Sequence, residues 1–212
     1  MADILDTTFE GKEVELTDNK VKVGDDVNLM EKDPSVSKLL VGIGWDLNAF
    51  NADSLDLDVS LFMLGKDEKT RMDEDFIFYN QPEGADGGIK HGGDSRSGAG
   101  DGDDEVITIN LHNVSFEVMK LVFAITIYKG VEKGQNMGMV RNAYIRVVNE
   151  ANGIELLRYE LSKDLEDKLE TGMIVASLNR EGPKWHFTPI ADFATEGLKE
   201  LAIRYGMTIV QQ

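Results

Sequence analysis

Short runs in which apolar and polar residues alternate recur along most of the chain, separated by Gly, Asp, Asn and Pro residues typical of turns. Alternation with a period of two places successive side chains on opposite faces of a strand, so each run predicts a strand. The run at 55–64 keeps this period clearly, whereas the run at 39–45 is mostly apolar and contains two glycines that indicate a bulge or a close backbone approach. The predicted strands lie at residues 12–16, 21–23, 39–45, 55–64, 76–79, 106–111, 120–129, 143–148, 155–161, 173–178 and 185–189.

Helical periodicity is rare in this sequence. Residues 193–205 place apolar side chains near one helical face and predict a terminal helix, and Ser162 followed by acidic residues predicts a short turn at 163–169. The last two predicted strands are expected to form a hairpin across 179–184. Many short strands with regular turns predict an all-β fold, namely a β-sandwich of mostly antiparallel strands with a C-terminal helix.

Composition narrows the possible functions. The chain has 39 acidic and 22 basic residues, a formal charge of -17 and no cysteine. This charge repels nucleic acids and anionic lipids and attracts cations, so no nucleic-acid partner is expected. The lack of cysteine excludes disulfides, zinc–thiolate sites and thiol nucleophiles.

The N-terminal residues carry no strand or helix pattern. Residues 1–11 are predicted to be loosely ordered, and 12–212 to form one domain. The first ten residues lack the basic start and apolar run of a secretory signal, and no stretch reaches the length of a membrane span. These observations predict a cytoplasmic protein.

A long segment rich in glycine and poor in apolar residues, 81–104, interrupts the strand pattern. Its end, 101–105, places four carboxylates within five residues directly before a predicted strand. Adjacent carboxylates repel one another, and calcium, which takes six to eight oxygen ligands, relieves that repulsion. The preceding residues 94–100 offer further oxygens on flexible backbone. This loop is therefore either a metal-binding loop or a solvated acidic surface.

A second set of oxygens lies on the predicted strand at 55–64. Period two places Asp56, Asp58 and Ser60 on one face, opposite the apolar face of Leu55, Leu57, Val59 and Leu61. Two neighbouring carboxylates on one face are costly unless they are solvated, paired or bound to a metal. Either this face is exposed at a strand end, or it meets the acidic loop around a cation that Asp46 could also reach.

Other recognisable sites are not present in the sequence. An EF-hand counted from Asp94 has Ala99 where glycine is needed, and one counted from Asp101 has Val106 there. The three histidines have no metal-ligand spacing, and neither a nucleophile elbow nor a phosphate-binding loop is present. A calcium site in this chain would be of another kind.

Several of these motifs, in this order, resemble the TerD family of tellurium-resistance and general stress proteins. The resemblance covers residues 12 to 206, and the segments that carry it are 41–46, 56–60, 91–94, 100–105, 140–148, 185–187 and 205–206.

The resemblance implies a β-sandwich that binds calcium, with two ions expected. By position, the expected metal ligands are Asp56, Asp58, Asp94, Asp103, Asp104 and Glu105, supported by Asp46, Ser95, Ser97, Gly98 and Gly100. The sequence departs from the family at 94–98, where Arg96 replaces an apolar residue and brings a cation to the loop.

The resemblance also implies a stress-response protein that is not an enzyme, acting as a calcium-dependent scaffold or signalling module. Its expected partners are other stress-response and tellurium-resistance proteins, at the inner membrane surface. Two alternatives remain open at the level of sequence. One is a metal-dependent hydrolase that uses the same carboxylates, and the other is a structural protein with an acidic surface.

Overall fold

A computed structural model describes residues 19–46, 55–84, 87–92 and 102–208. The described residues form twelve strands, four short α-helices and two 3₁₀ helices, Asp73–Asp75 and Met137–Met139. The strands are β1 (Lys20–Val21), β2 (Val27–Asn28), β3 (Lys38–Asp46), β4 (Leu57–Leu64), β5 (Phe76–Ile77), β6 (Ile89–His91), β7 (Glu105–Asn110), β8 (Lys120–Ile127), β9 (Arg141–Asn149), β10 (Ile154–Glu160), β11 (Gly172–Glu181) and β12 (Lys184–Ala194). The helices are α1 (Leu29–Lys32), α2 (Gly130–Lys133), α3 (Ser162–Leu165) and α4 (Leu198–Arg204). None of these helices is long and apolar enough to cross a membrane.

The strands form two six-stranded sheets. The first sheet has the order β1-β10-β9-β3-β7-β6, and the second has the order β2-β12-β11-β8-β4-β5. Among the described strands, β1 and β10 are the one parallel pair, and the remaining pairs are antiparallel. The all-β prediction is therefore confirmed.

The main hydrophobic core lies between the two sheets and draws on the alternating apolar residues of both. Leu39, Val41 and Ile43 of β3 face it from the first sheet, and Leu57 and Val59 of β4 face it from the second. Burial of this apolar area is the main force that holds the sheets together.

A smaller core covers the outer face of the second sheet, where α4 packs. Its members come from β4, β5, β8, β11, β12 and α4, and include Phe62, Phe76, Ile174, Leu201 and Ala202. Every residue of β4 is consequently buried. This corrects the idea of an exposed strand face, because the second core occupies the side on which Asp58 and Ser60 lie.

The predicted terminal helix at 193–205 is shorter in the structure. Phe193 and Ala194 belong to β12, where they pair with Met173 and Gly172 of β11. The helix then begins only after Gly197, whose φ of 58° is incompatible with helical backbone.

The hairpin across 179–184 is confirmed, and its turn is confined to Gly182 and Pro183 because Glu181 already pairs with Lys184. Among the strands and α-helices, four short elements were not predicted: β2, β6, α1 and α2. In particular β6 divides the segment 81–104, which was predicted to be a loop throughout, because Ile89 pairs with Ile109 of β7. The predicted strand at 12–16 and the predicted loose order of 1–11 lie outside the described residues.

Candidate cation site where β4 meets the end of the acidic loop

The predicted ligands fall into two groups with respect to the structure. Asp94, Ser95, Ser97, Gly98 and Gly100, together with Arg96, lie outside the described residues. The structure describes six of the predicted ligands. Asp46 ends β3, Asp56 precedes β4 and Asp58 lies in it, and Asp103 and Asp104 precede β7, which begins at Glu105.

Glu105 joins the acidic loop to β4. Its fully buried side chain accepts a hydrogen bond at Oε2 from the backbone N–H of Val59, at 2.8 Å. His91 Nε2 lies 3.1 Å from the carbonyl oxygen of the same Val59 and 3.4 Å from Glu105 Oε2. This contact joins the end of the acidic loop to the backbone of β4 at Val59. That the face of Asp56, Asp58 and Ser60 meets the loop around a cation stays a prediction.

This contact arises because β5 is only two residues long. β5 pairs with β4 at Leu61 and Phe62, so Val59 lies beyond the paired stretch. Buried backbone N–H and C=O groups need partners, and the side chains of Glu105 and His91 provide them in place of a neighbouring strand.

The electrostatics of this contact favour a charged histidine. Burial lowers the pKa of His91, but hydrogen bonding and the negative charge of Glu105, with smaller contributions from Val59 and Asp58, raise it, and the net direction is upward.

Two buried side-chain oxygens, one on β4 and one on the residue before it, lack hydrogen-bond partners among the described residues. Asp56 Oδ1 and Ser60 Oγ are both inaccessible to solvent, and no described residue donates a hydrogen bond to either. A buried carboxylate oxygen without a donor is unfavourable, and a bound cation would relieve that cost.

Asp104 contacts the backbone near the end of β3. Its Oδ2 accepts a hydrogen bond from the Trp45 N–H at 2.8 Å, while its own N–H donates to the carbonyl of Ile43 at 2.8 Å. Burial raises the pKa of the Asp104 carboxyl, the hydrogen bond from Trp45 lowers it, and the charges of Asp46 and Asp103 raise it further, so the net direction is upward. The surroundings of Asp104 thus disfavour its negative charge.

Asp46 and Asp103 have partners of their own. The exposed Asp46 accepts a hydrogen bond from Asn142 Nδ2 at 2.6 Å. Asp103 is held by Arg146 on β9, with Nε 2.8 Å from Oδ1 and Nη2 2.8 Å from Oδ2. Tyr144, also on β9, donates its hydroxyl to Asp103 Oδ1 at 3.0 Å.

Two glycines of β3 make room for these side chains. The sequence analysis predicted a bulge or a close backbone approach at these glycines. Gly42 pairs with Arg146 and Gly44 with Tyr144. A Cβ atom built at Gly42 would meet the carboxylate of Asp103, and one at Gly44 would meet the ring of Tyr144 at 2.6 Å. The predicted bulge is also present, between Gly44 and Asp46.

Within the described residues, no three acidic or histidine side chains converge closely enough to hold a metal ion. The donors present at the junction are nevertheless carboxylate and hydroxyl oxygens, which suit a hard cation such as calcium. Calcium would need further oxygens, and the adjoining segment 93–101 carries suitable residue types.

The TerD domain matches residues 18–205 of the chain. The chain belongs to the TerD family. General stress protein 16U of Bacillus subtilis is 41% identical over 187 residues, which cover 88% of this chain and 96% of that protein. The tellurium resistance protein TerD of Serratia marcescens is 40% identical over 184 residues, covering 87% of this chain and 95% of that protein.

A solved structure supports the fold. The crystal structure of a TerD homologue from Streptomyces coelicolor A3(2) superposes with a TM-score of 0.64 at 19% identity, covering 79% of this chain and 96% of that one. The family assignment places this chain among tellurium-resistance and general stress-response proteins.

Sequence reasoning did not assign roles to His91 or Arg146 in this TerD-family protein. His91 gave little signal, because it is a single histidine beside a glycine-rich stretch. Arg146 could have been found from its position: it alternates with the buried Ile145 and Val147, so it lies on the same face of the sheet as Gly42.

Proposed function

We propose that this TerD-family chain is a calcium-binding, non-enzymatic stress-response module that acts as a calcium-dependent scaffold or signalling protein in the cytoplasm. Its partners are other stress-response and tellurium-resistance proteins, at the inner membrane surface. Calcium supplies positive charge at the junction of β4 and the acidic loop, where two ions are accommodated.

The observation that carries this proposal is the buried Asp56 Oδ1, which has no hydrogen-bond donor among the described residues. Asp104 supports it, since burial and two neighbouring carboxylates raise its pKa. Both features are unfavourable in the calcium-free protein and become favourable when a cation binds.

The residues that hold calcium in this proposal come from both sides of the junction. On one side, Asp58 of β4 and Asp56 just before it contribute carboxylate oxygens. On the other side, Asp104 and Glu105 at the end of the acidic loop contribute theirs. Asp46 and oxygens of 94–100 complete the coordination.

The direct test is a calcium titration of chelator-treated protein by calorimetry, with thermal unfolding measured in parallel and magnesium as the control ion. A ligand at 100 times its Kd stabilises the folded state by about 2.7 kcal/mol, which is easily measured. We expect saturable binding that prefers calcium and raises the Tm, and we expect Asp104→Asn to remove most of that rise.

A matched control is Asp73→Asn, which removes the same charge from an exposed site away from the junction. This variant should keep the full calcium response. Flat titrations of the wild-type protein, or an equal loss in both variants, would contradict the proposal.

The scaffold role is tested separately. Tagged protein is purified from stressed cells in calcium or in chelator, and the co-purifying proteins are compared. Tellurium-resistance proteins that are retained only in calcium would support the role, and an identical set in both conditions would contradict it.

A further inference from the structure

We propose that Asp103 does not bind the cation but positions the end of the acidic loop by its ion pair with Arg146. This inference rests on the proposed calcium site and changes one of its expected ligands. It also assigns Arg146 a role in metal affinity, although its guanidinium is positively charged and cannot coordinate the ion.

The hydrogen bonds of Asp103 are already made within the protein. Oδ1 accepts from Arg146 Nε at 2.8 Å and from the Tyr144 hydroxyl at 3.0 Å, and Oδ2 accepts from Arg146 Nη2 at 2.8 Å and Nε at 3.1 Å. The Asp103 side chain is only 7% exposed. To bind calcium, this carboxylate would have to give up a two-pronged contact with a guanidinium, which is among the stronger side-chain pairings.

The position of Asp103 is also fixed by shape. Its carboxylate lies directly over the backbone of Gly42, in space that any Cβ atom at position 42 would occupy. The side chain is thus held flat against the outer face of the first sheet by Gly42 below it and Arg146 beside it.

The next two residues point elsewhere. Asp104 turns to the Trp45 N–H at the end of β3, and Glu105 turns inward to Val59 on the opposite sheet. Asp103 and Asp104 precede β7, which begins at Glu105, so the alternation of the strand does not relate Asp103 to Glu105. Asp103 is fixed on the outer face by Arg146, and Glu105 on the inner side by Val59. The Asp103–Arg146 pair therefore anchors the backbone two residues before Glu105 and one residue before Asp104.

The charge of Asp103 is balanced by neighbouring side chains. Arg146 also contacts Glu155 at 3.3 Å, and Glu155 is held by Arg158 at 2.8 Å, so these two arginines and two acids form a neutral group on the outer face. The charge of Asp103 is compensated within this group, so Asp103 does not need a cation to balance it.

The test is a double-mutant cycle on calcium affinity, using Asp103→Ala, Arg146→Ala and the double variant, with affinities from calorimetry. Residues that support metal ligands without binding the metal typically change affinity by about 10- to 100-fold when removed. We expect each single variant to weaken calcium binding by about tenfold and the double variant to be no weaker than the singles, since both remove the same pair.

A direct ligand would behave in the opposite way. If Asp103 binds calcium, Arg146→Ala would release its carboxylate and strengthen binding, and Asp103→Ala would weaken binding further in the Arg146→Ala background. Either result would overturn the inference.

Two further variants separate positioning from folding. Arg146→Lys keeps the charge without the two-pronged geometry and should recover only part of the affinity. Arg204→Ala removes an arginine of α4 that pairs with Asp192 and Glu200, so its calcium affinity should match that of the wild type. If Arg204→Ala weakened binding as much as Arg146→Ala, a general loss of structure would explain both and the inference would fail.

Bound terbium provides an independent readout, because its luminescence lifetime in H₂O and D₂O counts coordinated waters. The positioning role predicts the same water count in wild type and Asp103→Ala, whereas loss of a ligand would add at least one water. If the wild-type protein bound neither calcium nor terbium, the proposed function itself would fail. If the wild-type protein binds calcium but the effects of Asp103→Ala and Arg146→Ala on affinity simply add, only the proposed role of Asp103 would be overturned.

Discussion

Gly42→Ala is the substitution for which the structure predicts the clearest effect. A Cβ atom at this position would lie no more than 2.5 Å from all three carboxylate atoms of Asp103, closer than real Cβ contacts. Gly42 is in the middle of β3, between β7 and β9, so the backbone has little freedom to move away. The carboxylate must therefore shift and lose part of its contact with Arg146.

The size of the effect follows from two contributions. Overpacking of a well-filled site typically costs about 1–3 kcal/mol. A hydrogen bond to a charged group contributes about 1.5–3 kcal/mol, which must be reduced here because the Arg146 side chain is 29% exposed. We expect the free energy of unfolding to fall by about 2–4 kcal/mol in total, or roughly 5–15 °C in Tm for a chain of this size.

The assay is urea and thermal unfolding followed by circular dichroism, in the wild type and in an Asp103→Ala background. Alanine is normally better than glycine within a strand by about 0.5–1 kcal/mol. Without the Asp103 carboxylate, Gly42→Ala should therefore become neutral or stabilising. Lys38→Ala, at an exposed position of the same strand, controls for substitution in β3. An equal loss in both backgrounds would refute the reasoning.

Two further predictions concern buried polar side chains. The carboxylate of Asp75 is fully buried and accepts bonds from Arg71 at Nε and Nη2, both at 2.8 Å. Asp75→Asn should lower the free energy of unfolding by about 2–4 kcal/mol, because it removes the buried charge from the two-pronged pair with Arg71, whose contact with Glu117 at 3.3 Å is exposed. A change in urea midpoint no larger than that of the exposed Asp73→Asn would contradict this. Burial raises the pKa of Tyr205 to about 12. Tyrosines of the unfolded chain titrate near pH 10, so the folded state keeps this proton to a higher pH than the unfolded state does. The free energy of unfolding should therefore fall as the pH rises from about 10 to 12, by up to about 1.4 kcal/mol per pH unit. Tyr205→Phe should reduce that slope in urea unfolding curves, and an unchanged slope would show that another group is responsible.

Much of the fold was accessible from the sequence because the main core follows the period-two pattern. Residues 55–64 and 106–111 show this well, since each alternates and each forms a strand that contributes apolar side chains to the core. The two-residue strand β2 is too short to produce such a pattern. Phe193 was assigned to the terminal helix because its apolar side chain fits a helical face, whereas pairing with Met173 keeps it in β12.

The candidate site was predictable in composition but not in orientation. The run 101–105 indicated clustered carboxylates, yet nothing local distinguishes Asp103 from Asp104 or Glu105. Their different directions depend on partners far along the chain, such as Arg146, 43 residues from Asp103, and Val59, 46 residues from Glu105. Local pattern cannot supply contacts of that range.

The short β5 has a consequence for association with other chains. An unpaired strand edge offers backbone N–H and C=O groups on which a foreign strand can assemble, and proteins protect such edges against aggregation. At Val59 the side chains of Glu105 and His91 already occupy both groups. The same two residues that connect the sheets therefore also close this position of β4 to a strand from a neighbouring molecule.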